Sequence, residues 1–362
     1  MKIVVMGSAQ GHGGLQTHFR MLVPFLIREG HQVGAINVAD SAEGVVRGNA
    51  FTYVMPHTVG SPWATLRKSL GFLFARRRAA RFMPELFIGT AIGRAYAQIA
   101  QSLPAKTFKI WEEVWGEIPK NDPLRIHVSG CFDAVAAQSP LIAKIFQEQI
   151  PCTKPVRVLP CFAEPLNFTA LPTLPAQDAP LRLCFFGRLA KNKGVCEFLR
   201  AFARVAPQVN ATFDIHGSGP EKAAIAELIA SLGLKDRVSL LGPYPGGDEY
   251  SKLLASYHCL VAPSRGYEGV PLVLIEAMNC GLPFLATSIG AIPDAARNNE
   301  DVLLMPLDED GMIARLQEFS LKVRSGTVSC ARLKNFYDQH FSPAVMEQSW
   351  REMLSAPRMF FS

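Results

Sequence analysis

Two carboxylates eight residues apart, Glu268 and Glu276, stand in the segment Pro263-Ser264-Arg265-Gly266-Tyr267-Glu268-Gly269-Val270-Pro271-Leu272-Val273-Leu274-Ile275-Glu276-Ala277-Met278. Glu268 falls in a glycine-bearing loop directly after an apolar run. Glu276 lies about one turn into the helix that follows. The start of a helix offers backbone N–H groups without partners in the helix, and the positive end of its dipole. A phosphate can therefore sit on this loop, with one carboxylate reaching hydroxyl groups on each side of it. The plainer alternative is a loop acid followed by a helix-surface acid. A second cluster is cationic. Arg67, Lys68, Arg76, Arg77, Arg78 and Arg81 put six cations into fifteen residues, interleaved with Leu70, Phe72, Leu73, Phe74 and Phe82. Residues 67–82 read either as a basic amphipathic helix for anionic lipid or a charged ligand such as a lipid-linked sugar phosphate, or as a solvated basic face over a core stripe.

The elements that must position these groups alternate. Short apolar runs bounded by turn residues are followed by helical patterns, the mark of an α/β chain with doubly wound parallel sheets. In the first half the runs predict strands over 2–6, 31–38, 85–88, 107–111, 134–137 and 156–159. A glycine turn over 7–14 leads into a helix over 15–29. Residues 165–180 hold four prolines and no periodicity, which predicts a linker over 166–180. The second half repeats the alternation, with strands over 181–186, 212–216, 238–241, 259–262, 284–286 and 301–305. Its helices are expected over 195–205, 220–232, 248–256, 272–279 and 310–318. The domains are then 1–165 and 181–338, with a final segment 339–362 whose helix runs over 343–354. Two such domains facing each other place a ligand cleft at the carboxyl ends of both sheets.

Composition narrows the classes. With 362 residues and 49% hydrophobic content the chain can build two full cores, which excludes wholesale disorder. No apolar run approaches the ~18 residues of a membrane span, and the N-terminus lacks the pattern of a secretory leader. Eight cysteines show no C-x-x-C or metal spacing and read as reduced core thiols of a cytoplasmic protein. A net charge of +6 suits an anionic ligand or surface without demanding one. There is no zinc pattern or RNP motif for nucleic acid.

Several segments together resemble the retaining glycosyltransferases of family 4 (glycosyl transferases group 1). They are the Glu268-x7-Glu276 spacing, Pro263-Ser264 before it, and Ala277-Met278, Gly281-Leu282-Pro283 and Gly290-Ala291-Ile292-Pro293-Asp294 after it. Gly187-Arg188-Leu189 with Lys193-Gly194, and His216-Gly217-Ser218-Gly219-Pro220, match further motifs in the same order. Gly13-Gly14 looks like the family's N-terminal glycine loop. The likeness is dense in the second half and thin in the first.

The resemblance implies a GT-B fold of two Rossmann-like domains, and transfer of a sugar from a nucleotide diphosphate donor, UDP before GDP, to an acceptor hydroxyl. The acceptor would be a carbohydrate, a lipid-linked sugar or another hydroxyl compound. Arg188 and Lys193 would hold the donor diphosphate, which suits a bidentate guanidinium and a compact ammonium facing a leaving group that gains charge. Glu276 would accept from the ribose hydroxyls and Glu268 would contact the donor sugar. Gly13, Gly14, Gly269, Val270, Leu272 and Val273 would offer backbone to sugar and phosphate; Pro271 has no N–H to give. Arg188, Lys193 and Glu268 are the expected catalytic residues. No cofactor or metal is expected, and Asp308-Glu309-Asp310 reads as the opening of a helix rather than a metal-binding D-x-D. The segment 107–115 lacks the His that many relatives place there, so Glu112 or Glu113 would stand on the acceptor side, or form an exposed acidic turn. The location implied is cytoplasmic, with a peripheral hold on the inner face of the membrane through residues 67–82. The rival readings are a non-catalytic nucleotide-sugar-binding protein and another GT-B enzyme such as a nucleotide-sugar epimerase. A nicotinamide-dependent dehydrogenase fits less well, because Gly11, Gly13 and Gly14 do not make G-x-G-x-x-G.

Overall fold

A computed structural model describes residues 1–8, 13–41, 44–56, 62–164, 166–168, 170–266 and 268–362. They divide into two compact units, one of Met1–Glu164 with Met346–Ser362 and one of Pro165–Val345. The middle of the expected 7–14 turn, residues 9–12, and Tyr267 lie outside the described residues.

The first unit is built on a parallel sheet. Its strands are β1 (Lys2–Ser8), β2 (Gln32–Val38), β3 (Phe51–Met55), β4 (Leu86–Gly89), β5 (Phe108–Glu113), β6 (Ala134–Ala137) and β7 (Val156–Val158), in the order 3-2-1-4-5-6-7. Ile3, Val4, Val5 and Met6 of β1 are shut off from solvent, as expected of a strand covered on both faces, which reads in sequence as one apolar run. The helices are α1 (Gly14–Arg28), α2 (Pro62–Phe82), α3 (Arg94–Ser102), α4 (Pro123–Ser129) and α5 (Pro140–Gln149). α1 buries Phe19, Leu22, Phe25 and Leu26 in one stripe. Strand β3 has no counterpart in the sequence reading. It is a short edge strand whose burial does not alternate, so its residues carry no period of two.

The second unit has strands β8 (Leu181–Phe186), β9 (Ala211–His216), β10 (Val238–Gly242), β11 (Cys259–Ala262), β12 (Phe284–Thr287) and β13 (Leu303–Met305), in the order 10-9-8-11-12-13. Its helices are α6 (Val195–Val209), α7 (Lys222–Ser231), α8 (Gly247–Ala255), α9 (Leu272–Cys280), α10 (Ile292–Ala296), α11 (Glu309–Arg324) and α12 (Cys330–His340). Phe198 and Phe202 of α6 pack on Phe213 of β9 at the middle of the core. The expected strand over 301–305 is shorter at its start. Asp301 is instead a buried carboxylate gripped by Arg332 at 2.6 and 2.7 Å and by the Ser329 amide. Asp308 accepts from the Gly311 amide at 2.8 Å and caps α11.

Residues 166–180, expected as a linker, are stitched to the second unit. The Leu166 carbonyl accepts from Asn279 Nδ2 at 3.0 Å, and Arg324 donates to the carbonyls of Ala176, Gln177 and Ala179. The last segment runs through α13 (Pro343–Ser355) and α14 (Pro357–Phe360), and from Met346 onward it is part of the first unit. There Trp350 is fully buried and donates from Nε1 to the Pro160 carbonyl at 2.8 Å, and Arg351 holds Glu29 through two bonds of 3.0 Å.

One histidine makes the second unit acid-sensitive. His258 Nδ1 accepts from the Arg182 amide at 2.9 Å, which needs an unprotonated nitrogen. Burial and the nearby Arg182 charge push its imidazole down from 6.5 to about 4. A depressed histidine stabilises the fold fully above its unfolded value and loses that contribution as pH falls. The melting temperature is therefore expected to fall from pH 6.5 towards 4, and His258→Asn, which keeps an acceptor, to fall less. Equal acid slopes in both proteins would contradict this.

Candidate functional site

In each sheet the strand order reverses once, between β1 and β4 and between β8 and β11. At such a point the neighbouring loops leave in opposite directions and open a crevice at the carboxyl ends of the strands. In the second unit the loop after β8 carries Arg188 and Lys193, and the loop after β11 carries Glu268.

The two loops touch through backbone. The Arg265 amide donates to the Asn192 carbonyl at 2.8 Å. Gly194 sits at φ +67°, and a Cβ there would collide with the Pro263 carbonyl, so no other residue fits without opening the contact. That closeness lets Lys193 Nζ pair with Glu268 Oε1, which also accepts from Ser264 Oγ at 2.7 Å. Glu268 is buried and Lys193 is partly exposed. The far side of the loop is held by Gly290, at φ +51°, where a Cβ would meet the Glu268 carbonyl. The adjoining Ala291 amide donates to the same carbonyl at 3.3 Å. The glycine-containing motif 290–294 thus acts as the backing of the Glu268 loop. An ammonium has three donors, so Lys193 can keep Glu268 and still reach an anion. Arg188 is exposed.

Past Glu268 the chain runs through Gly269 and Val270 to Pro271, which starts α9. Leu272 and Val273 open the helix, where amides lack intrahelical partners. Glu276 lies on its second turn, half-buried, and accepts from the Tyr250 hydroxyl at 2.9 Å. Beside it, burial and then the Glu276 charge push the Tyr244 phenol up to about 12. The rings of Tyr244 and Tyr250 stand edge-on to Phe186 at 5.0 and 5.3 Å, and Phe186 stacks flat on His216 at 4.5 Å. Sequence reasoning missed this aromatic group and Ser264's bond to Glu268. The only signal was aromatic residues at the ends of successive strands.

In the first unit Gly13 precedes α1 and Gly14 opens it, both exposed. Gly13 is extended, at φ 168°, a conformation open to any residue, and among the described residues a Cβ there would meet the flexible end of Gln16. Glu112 and Glu113 end β5 and, as neighbours in a strand, point to opposite faces. Neither is an exposed acidic turn. Glu113 is fully buried and bound by Arg125 Nε at 2.8 Å and by the amides of Val114 and Trp115. Burial pushes its carboxyl up, while Arg125 and these amides pull it down. Glu113 is thus held inside the first unit as the carboxylate of a buried ion pair with Arg125. Glu112 is also buried, paired with His18 Nε2 at 3.0 Å. His18 Nδ1 accepts from the Phe162 amide at 2.9 Å, so this imidazole is neutral and its Nε2–H donates to Glu112. His18, on the first helix, thus brings a histidine against the segment 107–115, which has none of its own. Among the described residues no group of three or more His, Cys, Asp or Glu side chains is placed to hold a metal ion.

Comparison with known proteins shows what this arrangement is similar to. Residues 180–320 match the family described as glycosyl transferases group 1. The chain is 25% identical over 318 residues to an uncharacterized glycosyltransferase of Methanocaldococcus jannaschii, covering 79% of each chain. It is 34% identical over 118 residues to N-acetyl-alpha-D-glucosaminyl L-malate synthase of Bacillus anthracis, which is 33% of this chain and 30% of that enzyme. Among solved structures it is similar to Anabaena HepE in complex with UDP, with a TM-score of 0.77 at 17% identity, covering 98% of this chain and 99% of that one. The match to the glycosyl transferases group 1 family thus lies in the second unit, and the two units together have the α/β GT-B fold.

Proposed function

We propose that the protein transfers a sugar from a UDP-sugar to an acceptor hydroxyl with retention of anomeric configuration and without a metal, with GDP as the alternative donor base. The observation that carries this is the Lys193–Glu268 pair, held by two touching loops where the sheet reverses and just before the start of α9. The UDP-bound state of the structurally similar HepE supports the choice of base.

In this reading the diphosphate lies against the amides of Gly269, Val270, Leu272 and Val273, with Lys193 and Arg188 on its oxygens. Glu276, oriented by Tyr250, accepts from both ribose hydroxyls. The sugar–oxygen bond to the diphosphate breaks as Lys193 and Arg188 take up the growing negative charge. The acceptor oxygen bonds to the same face of the anomeric carbon, and its proton passes to the departing diphosphate. Glu268 orients the donor sugar. The first unit binds the acceptor, with Glu112 held by neutral His18 as the carboxylate that orients its hydroxyl. Gly13 and Gly14, both exposed, let a ligand approach the start of α1. The product would belong to polysaccharide, glycolipid or glycoconjugate assembly in the cytoplasm.

Donor hydrolysis tests the chemistry without knowing the acceptor. The protein is incubated with a panel of UDP- and GDP-sugars, with and without EDTA, and the released sugar is followed by proton NMR. The expected result is slow release of the anomer that the donor carried, unaffected by EDTA. The opposite anomer, loss of activity with EDTA, or binding without any release would overturn the reading. A changed sugar still attached to its nucleotide would indicate an epimerase.

A further inference from the structure

Helix α2 places its side chains the wrong way round for a core helix. Its buried residues are small: Gly71, Ala75 and Ala79, with Gly71 against Pro56. Phe72 and Phe82 are half-buried, Phe82 against Phe51, but five other large apolar residues face out. Trp63 is 78% exposed, Leu66 49%, Leu70 46% and Phe74 51%, with Leu73 beside them. These positions recur at three- and four-residue steps, so they form one stripe along the helix. The stripe flanks an open groove of about 430 Å³ whose other wall is Tyr53, Val54 and Pro56. Scattered exposed leucines are ordinary, but a contiguous stripe led by tryptophan marks a contact surface.

The charges on the same helix identify what covers it. Residues 62–82 hold six cations and no carboxylate. The side chain of Arg67 lies outside the described residues, but Arg76, Arg77, Arg78 and Arg81 are exposed. Arg77 and Arg81 continue the apolar stripe at the same angular position, one and two turns on. Arg78 rests over the Phe51 ring at 5.2 Å with its charge free to face outward. A second copy of the chain packed in parallel on this face would oppose cations to cations, and packed antiparallel would set the cations of each copy against the apolar residues of the other. Among the described residues no helix is long and apolar enough to cross a membrane. An apolar stripe continuing into a cationic end matches a surface that is apolar below and anionic above.

We propose that α2 docks the first unit onto an anionic bilayer, with Trp63, Leu66, Leu70 and Phe74 below the headgroups and Arg76, Arg77, Arg78 and Arg81 against lipid phosphates. This goes beyond the transfer chemistry. It concerns only the first unit, and nucleotide binding by the second unit is read separately, so either can fail alone.

Vesicle flotation tests it on the full chain, with phosphatidylcholine vesicles and with vesicles holding a third phosphatidylglycerol. Binding is expected to the anionic vesicles, to weaken as salt rises, and to be slight on phosphatidylcholine alone. Tryptophan emission should shift to the blue on binding, and Trp63→Phe should remove that shift. Trp111 and Trp350 are already buried, and Trp115 is half-buried outside α2, so a shift that survives Trp63→Phe would not come from the stripe and would count against the proposal. Arg77→Glu with Arg81→Glu, and separately Leu70→Ser with Phe74→Ser, should each weaken partition about tenfold or more. All four positions are exposed, and an unchanged thermal shift with UDP would show that the variants are folded and the second unit intact. Three results would overturn the proposal: no binding to anionic vesicles, binding undiminished in both double variants, or a dimer in solution that Leu70→Ser with Phe74→Ser dissolves.

Discussion

Lys193→Ala is expected to slow donor cleavage by about 10²–10³-fold, the usual effect of removing one charge-stabilising donor from a reacting site. Lys193 is the cation that the structure ties to the Glu268 loop, so it is fixed before any donor arrives. Fixed charge needs no reorganisation when the diphosphate leaves, which is why its loss should appear in kcat more than in KM. The variant also leaves Glu268 buried with Ser264 as its remaining described hydrogen-bond donor. Lys193→Arg is expected to recover little, because a planar fork cannot replace a compact ammonium in a contact this close. Single-turnover cleavage of the preferred donor by the three proteins, each checked by its melting curve, measures this. Wild-type rates in Lys193→Ala would place the diphosphate elsewhere.

Arg125→Ala is expected to destabilise the first unit by about 3–5 kcal/mol, the usual effect of leaving one member of a buried ion pair alone. Glu113 has no solvent to turn to, and the amides of Val114 and Trp115 cannot supply a countercharge. The sign of the pH dependence follows. Burial already pushes the Glu113 carboxyl up, and losing Arg125 pushes it further. The variant should therefore be most impaired near and above neutral pH and recover part of the loss in mild acid, where the carboxyl takes up a proton. Glu113→Gln with Arg125→Met, which removes both charges, should lose much less. Urea denaturation of the wild type and the two variants at pH 5 and pH 8 measures this, and a loss in Arg125→Ala that does not change with pH would contradict the assignment.

What could be seen in the sequence depended on how local the cause is. Strands β8 and β11 were legible because parallel strands covered on both faces read as apolar runs, interrupted in β8 by the exposed Arg182. Lys193, Glu268 and Glu276 were read as a group through the family resemblance, which rests on the glycine and proline punctuation of the loops that carry them. The bond between Lys193 and Glu268 was not legible, since it closes across 75 residues through the Gly194 contact. His18 was missed for the same reason: its partner Glu112 is 94 residues away. Glu112 and Glu113 could not be told apart, because which face of β5 meets Arg125 depends on where α4 packs. In α2 the cations were plain in sequence, but a period of three and four does not say which face is buried. Only the alanines against the sheet show that the large side chains point outward.

The central claim is that the second unit's reversal point holds a nucleotide diphosphate, and thermal melting with UDP, GDP, CMP, dTDP and NAD, each with and without EDTA, tests it most directly. A nucleotide at 100 times its dissociation constant should stabilise the fold by about 2.7 kcal/mol. The predicted result is a shift with UDP, or with GDP, that ignores EDTA and shrinks in Lys193→Ala and Glu276→Ala. A shift with NAD alone, or a UDP shift that both variants retain in full, would contradict the account.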